Sequence, residues 1–110
     1  QAITYNDQNF DTYKNSVDFI KKYIFPGSCL VSLAQVIDVL KVYTDMALVD
    51  MEDITIHYAE TLKQWRGNFL EVIPEVKKLG FSDSFIKMWE FYFVFCALSF
   101  ITFVQFFQSL

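Results

Sequence analysis

A chain of 110 residues with 9 Lys and Arg against 13 Asp and Glu has a formal charge of −4, which excludes the positive footprint that nucleic acid or an anionic membrane surface selects. Its composition is 54% hydrophobic and 19% aromatic, enough to fill one small core and leave apolar surface for more polypeptide, an acyl chain or a bilayer. Two cysteines, Cys29 and Cys96, are too few for a disulfide scaffold and lack metal-ligand spacing, so free thiols in a reducing cytoplasm are expected.

Taken in order, Gln1 to Tyr5 is a β-prone run and Asn6 to Asn9 is turn-like. Phe10, Tyr13, Val17, Ile20 and Ile24 then repeat at helical spacing, with Lys14, Asp18, Lys21 and Lys22 outside. The helix they predict ends by Phe25, because Pro26 disfavours helical geometry in the residue before it and Gly27 permits a turn. The pairs Lys21-Lys22 and Lys77-Lys78 read as solvated faces. Ser32 to Gln35 has the form of a capping box and opens a helix with Leu33, Val36, Ile37 and Leu40 on one face, closed by Thr44-Asp45. Met46 to Met51 predicts a mostly apolar, buried strand.

Glu52 and Asp53 precede the next helix, where acids are stabilised by the helix dipole. On that helix Tyr58, Leu62, Trp65, Phe69 and Val72 form one stripe, with Glu60, Lys63, Gln64, Asn68 and Glu71 opposite. Glu60 and Arg66 read as a solvated face, and His57, the single histidine, as a residue near the helix start making a backbone or water contact. The helix stops at Pro74, and a helical turn to Leu79 ends at Gly80. Ser82 or Asp83 caps a last helix carrying Phe85, Trp89, Tyr92, Cys96 and Phe100, and Ile101 to Phe107 suits a final strand. The order β-α-α-β-α-α-β argues an α/β class whose three strands make an incomplete sheet. Phe91 to Phe107 carries no charge and approaches the roughly 20 residues that span a bilayer, so periodicity leaves both a buried helix and a membrane anchor open. With no initiator methionine and no signal pattern, the chain reads as a fragment.

The string His57-Tyr58-Ala59-Glu60-Thr61-Leu62-Lys63-Gln64-Trp65-Arg66-Gly67-Asn68-Phe69, opened by Val49-Asp50-Met51-Glu52-Asp53-Ile54, resembles the C-terminal third of the cyclopropane-fatty-acyl-phospholipid synthases and mycolic acid cyclopropane synthases. Three further stretches match in the same order: Gln1 to Thr4, Val17 to Gly27, and Phe85 to Tyr92 followed by Cys96. The resemblance implies that residues 1–110 form the substrate-side, C-terminal part of a Rossmann-like methyltransferase domain, without its cofactor-binding half. The family's acidic-Gly-x-Gly-x-Gly turn is missing, since Gly27, Gly67 and Gly80 are isolated.

In that family a methyl group passes from S-adenosylmethionine to a cis double bond of an unsaturated phospholipid acyl chain, and a bound bicarbonate takes the proton whose loss closes the ring. By residue-by-residue matching, Tyr58 corresponds to the tyrosine that hydrogen-bonds the bicarbonate. Phe25, Leu30, Leu62, Tyr92, Cys96 and Phe100 correspond to positions lining the acyl tunnel. The implied partners are the acyl chain and the missing methyltransferase half, at a cytoplasmic site peripheral to the inner face of the membrane. The fragment alone is expected to bind no cofactor and to be inactive. The departures are Ser28 for a glycine, Val31 for a proline, and Ala97 to Ile101 for a stretch with a glutamate, a glycine and an arginine; they imply an altered turn after Phe25 and bear on the last strand. Two rivals stand beside this reading: a relative that methylates without closing a ring, and a non-catalytic, tail-anchored lipid binder.

Overall fold

The computed structural model describes residues 1–102 and 104–108. It divides into two units, the first formed by Gln1–Thr55 with Phe103–Leu110 and the second by Ile56–Thr102.

The first unit is built on a sheet of four strands in the order β2-β1-β4-β3: β1 Ala2–Tyr5, β2 Val31–Ser32, β3 Glu52–Asp53 and β4 Val104–Gln108. Only β1 and β2 run parallel, with Thr4 opposite Val31; β4 lies antiparallel to β1, Ile3 opposite Phe106, and antiparallel to β3. Mixed α/β character is therefore present, but the expected strand set is altered. The predicted strand Met46 to Met51 does not form. Thr44 Oγ1 donates to the Leu40 carbonyl and accepts from Met46 N, and Asp50 Oδ1 accepts from Met51 N. Such local bonds compete with a sheet ladder, and Val49 is left 92% exposed. The pairing falls instead on Glu52–Asp53. The final strand forms despite the sequence departures, but it starts at Val104, because the preceding helix runs on to Thr102.

The predicted helix Phe10 to Ile24 is also divided. A 3-10 turn at Asp7–Asn9 leads into α1, Phe10–Lys14, and a π-helical turn follows only at Ile20–Ile24. Asn15 Nδ2 donates to the Asp11 carbonyl and Ser16 Oγ to the Tyr13 carbonyl, which ends α1; Asp18 Oδ1 accepts from Lys21 N and opens the next turn. Gly27 at φ +80° then makes the expected reversal, with Ser28 N donating to the Phe25 carbonyl. The capping serine behaves as its position dictates: Ser32 Oγ accepts from Gln35 N at 3.2 Å at the start of α2, Leu33–Tyr43. Asp7 Oδ1 accepts from Ala34 N at 3.0 Å and ties that helix start to the 3-10 turn.

Lys21 is not on a solvated face. Its ammonium donates to the Tyr13 and Ser16 carbonyls and lies 3.7 Å from the centre of the Tyr13 ring. The other face of this knot is Tyr5, stacked on Tyr13 at 4.0 Å. Lys21→Met keeps the apolar stem but strips two carbonyls of a charged donor. Hydrogen bonds to charged groups are worth roughly 1.5–3 kcal/mol, so a loss of about 2 kcal/mol is expected in urea unfolding of the full-length protein. A variant as stable as its parent would return Lys21 to the solvent.

Candidate functional site

The second unit is an antiparallel helix pair, α3 Thr55–Glu71 and α5 Asp83–Thr102, joined by the short α4, Ile73–Lys78. Asp53 Oδ1 accepts from Thr55 N at 2.9 Å at the start of α3, so this acid caps a helix as expected of its position. Pro74 sits in the first turn of α4, where its missing N–H costs nothing. Gly80, at φ +92°, allows the reversal after α4, and Ser82 Oγ accepts from Phe85 N to open α5. Lys77 of α4 pairs with Asp83 of α5 at 2.8 Å with both side chains exposed, so Lys77 stays on a solvated face as expected.

The buried stripe of α5 is Ile86, Phe93, Ala97 and Phe100, and that of α3 is Ala59 and Leu62. The Tyr58 ring meets Phe100 edge-on at 4.8 Å, and Phe69 meets Phe93 at 5.7 Å, so the start of α3 lies against the end of α5. Each aromatic pair of this kind adds roughly 0.5–1.5 kcal/mol beyond its buried area. The inner face of α3 is turned from the predicted one. Trp65 is 46% exposed and edges Tyr58 at 6.0 Å from outside. Arg66, expected on the solvated face, is half-buried and its guanidinium bonds Glu90 of α5 at 2.5 Å. A carboxylate between Trp89 and Phe91 was the available signal, because an acid within an apolar helix face needs a partner.

Five of the seven sequence-predicted site residues share this unit. Tyr58 is half-buried at the start of α3; Leu62, one turn on, is 1% exposed and enclosed by protein. Tyr92, Cys96 and Phe100 follow one another at helical spacing on α5, and the Tyr92 hydroxyl is hydrogen-bonded to the Cys96 side chain. Burial is the main cause pushing both the Tyr58 and the Tyr92 phenols above their ordinary value, and the nearby Cys96 adds to it in each case. Both phenols are therefore neutral near pH 7, and a neutral phenol is a hydrogen-bond donor. The arrangement sets two neutral phenols among the aromatic rings of the helix pair. Cys96 and Cys29 are free thiols.

Phe25 and Leu30 belong to the first unit. Phe25 is exposed beside the Gly27 turn; Leu30 is half-buried, and its N–H donates to the Tyr13 hydroxyl at 3.1 Å. Tyr13 has no mark in the sequence beyond its place in an apolar spacing, and its hydroxyl contact, 17 residues away, has no local signal. His57 is exposed and offers its carbonyl to Thr61 Oγ1. No cluster of His, Cys, Asp or Glu able to hold a metal occurs among the described residues. Gly27, Gly67 and Gly80 stand apart in the chain, and Gly27 and Gly80 each serve a single turn. Within the described residues α5 is the helix long and apolar enough to cross a membrane. Its first half nevertheless holds Asp83, Lys87 and Glu90, and the uncharged run after it is shared with β4.

Comparison with known proteins gives the family and the fold. The family described as mycolic acid cyclopropane synthetase matches residues 1–108. Tuberculostearic acid methyltransferase UfaA1 of Mycobacterium tuberculosis is 36% identical over 100 residues, covering 91% of this chain and 23% of that protein. Cyclopropane-fatty-acyl-phospholipid synthase of Escherichia coli is 32% identical over 82 residues, 74% of this chain and 21% of that protein. The chain thus spans less than a quarter of these relatives' length. The cyclopropane synthase MmaA2 from Mycobacterium tuberculosis superposes with a TM-score of 0.78 at 22% identity, over 96% of this chain and 40% of that one. The mycolic acid cyclopropane synthase CmaA1, solved with SAH and CTAB, gives 0.78 at 21% identity, over 94% and 39%.

Proposed function

Because the chain belongs to the mycolic acid cyclopropane synthetase family, we propose that it is the acyl-binding, C-terminal part of an S-adenosylmethionine-dependent enzyme that builds a cyclopropane on an unsaturated phospholipid acyl chain. The observation that carries this reading is Tyr58, a half-buried, neutral phenol whose ring is set against Phe100 within an aromatic helix pair. S-adenosylmethionine, when bound, supplies the methyl group. Bicarbonate is a small oxyanion that the Tyr58 O–H suits, and it would supply a base.

The contribution of the chain itself is orientation and exclusion of water. Tyr58 donates to the anion and holds it within proton-transfer reach, which general-base catalysis requires. The face of its ring can also meet positive charge developing on the acyl chain, a contact worth about 0.5–2 kcal/mol. Tyr92 and Cys96 form the apolar wall that meets the acyl chain, and Leu62 and Phe100, enclosed by protein, back it. Phe25 and Leu30 take acyl contacts, as the family resemblance implies. Each methylene removed from water contributes roughly 0.8 kcal/mol, so an apolar wall alone holds a lipid tail. A cytoplasmic enzyme peripheral to the membrane fits a substrate of this kind.

The test is to incubate the full-length protein with S-adenosylmethionine and dioleoyl phospholipid micelles, then to record proton NMR of the extracted lipid. Upfield cyclopropane hydrogens are expected. A methyl-branched chain instead would favour the relative that does not close a ring, and unchanged lipid with carbonate-resistant membrane association would favour the tail-anchored binder.

A further inference from the structure

The segment between the π-helical turn and β2 carries Phe25 and Leu30, and its backbone is gripped at a small number of places. Ser28 N closes the Phe25 turn, and Val31 and Ser32 pair with Thr4 and Tyr5 in the sheet. Between them lies Leu30, whose N–H donates to the Tyr13 hydroxyl at 3.1 Å and whose carbonyl accepts from Cys29 Sγ at 3.4 Å. A thiol is a weak donor, so the Tyr13 hydroxyl is the stronger hold on this peptide. Tyr13 is itself fixed on several sides: 8% exposed, stacked on Tyr5, covered by the Lys21 ammonium, and tilted against Phe10 at 6.5 Å. A hydroxyl needed only to satisfy its own polarity could point to water. This one is buried in a clamped ring and spent on the backbone of a loop 17 residues downstream.

We propose that Tyr13 is a positioning residue for the acyl chain: its hydroxyl fixes the backbone of Leu30 and so sets how the Phe25–Leu30 loop meets the lipid. This rests on the acyl-contact role given above to Phe25 and Leu30. The chemistry is indirect, since Tyr13 touches the loop and not the substrate. With the hydroxyl removed, Leu30 N–H loses its protein acceptor and the loop samples arrangements that bind the acyl chain less well. A ligand that binds only one arrangement is weakened by the fraction of time the loop spends elsewhere. The effect therefore falls on lipid affinity and on selectivity among acyl chains, and leaves the methyl-transfer step alone.

Tyr13→Phe in the full-length protein isolates the hydroxyl, because stacking on Tyr5 and the Lys21 contact need only the ring. Three quantities are read: amide hydrogen exchange over residues 28–31, the KM for dioleoyl phospholipid, and the Kd for cis-parinaric acid, a fluorescent unsaturated fatty acid. Faster exchange is expected, with KM and Kd both raised roughly five-fold, the fold-change of one neutral hydrogen bond, and kcat within two-fold. Unchanged exchange overturns the proposal, as does faster exchange with unchanged KM and Kd. If the parent protein binds cis-parinaric acid but makes no product, the catalytic reading fails while the Kd ratio still decides the role of Tyr13; if it binds no acyl chain at all, both fail. Should the variant misfold, the parent protein decides: the Leu30 amide must be protected from exchange, and exchange at the rate of an unbonded peptide overturns the proposal.

Discussion

Tyr58→Phe in the full-length protein is expected to lower kcat by roughly a hundredfold or more, the scale on which positioned acid–base groups act, while KM for the lipid stays near its parent value. Phenylalanine preserves the edge contacts to Phe100 and Trp65, so wall and core are retained and only the donor is lost. A donor that matters when the proton moves and not when the lipid binds lowers kcat and kcat/KM together. A phenol is protonated at neutral pH in any case, and partial burial of Tyr58 raises its value further. An unchanged kcat would remove Tyr58 from the reaction. A raised KM at constant kcat would make it part of the acyl wall instead.

Leu62→Ala carries the largest expected effect on stability. Leu62 is 1% exposed, the most enclosed large side chain among the described residues. Truncating a fully enclosed leucine costs roughly 2–5 kcal/mol through lost transfer energy and the cavity left behind. In the full-length protein the midpoint of urea unfolding is expected to fall accordingly, and KM for the lipid to change little, since the side chain backs the wall and does not meet the acyl chain. A stable variant with a sharply raised KM would reverse those roles.

What could be read from residue order was governed by local physics. Ser32 at the head of α2, the Pro26-Gly27 reversal, Asp53 ahead of α3 and Gly80 after α4 are decided within a few residues, and each behaves as its neighbours dictate. The helical spacing of Tyr92, Cys96 and Phe100 likewise survives in α5. The failures are of two kinds. Met46 to Met51 looks like a strand because it is apolar, but strand formation needs an unpaired edge, and β4 offers its edge to Glu52–Asp53. Lys21 and Arg66 look solvated because charge usually is, yet each meets a partner that lies on another element or across a break in helix. Tyr13 belongs to the same class: its partner, the Leu30 peptide N–H that donates to its hydroxyl, has no signature in residue identity.

The two units differ in how far apart in the chain their partners lie. The pair α3 and α5 closes through α4 and two tight reversals, so its contacts form over short loops, whose closure entropy is small. Strand β1 is the opposite case: its long ladder is to β4, at the far end of the chain, and its other neighbour β2 supplies only two residues. As a ribosome extends this polypeptide, the helical hairpin can collapse on itself while the first strand still waits with one edge open. Nascent-chain order is thus built into the topology, because β4 is made after both β1 and the helical pair.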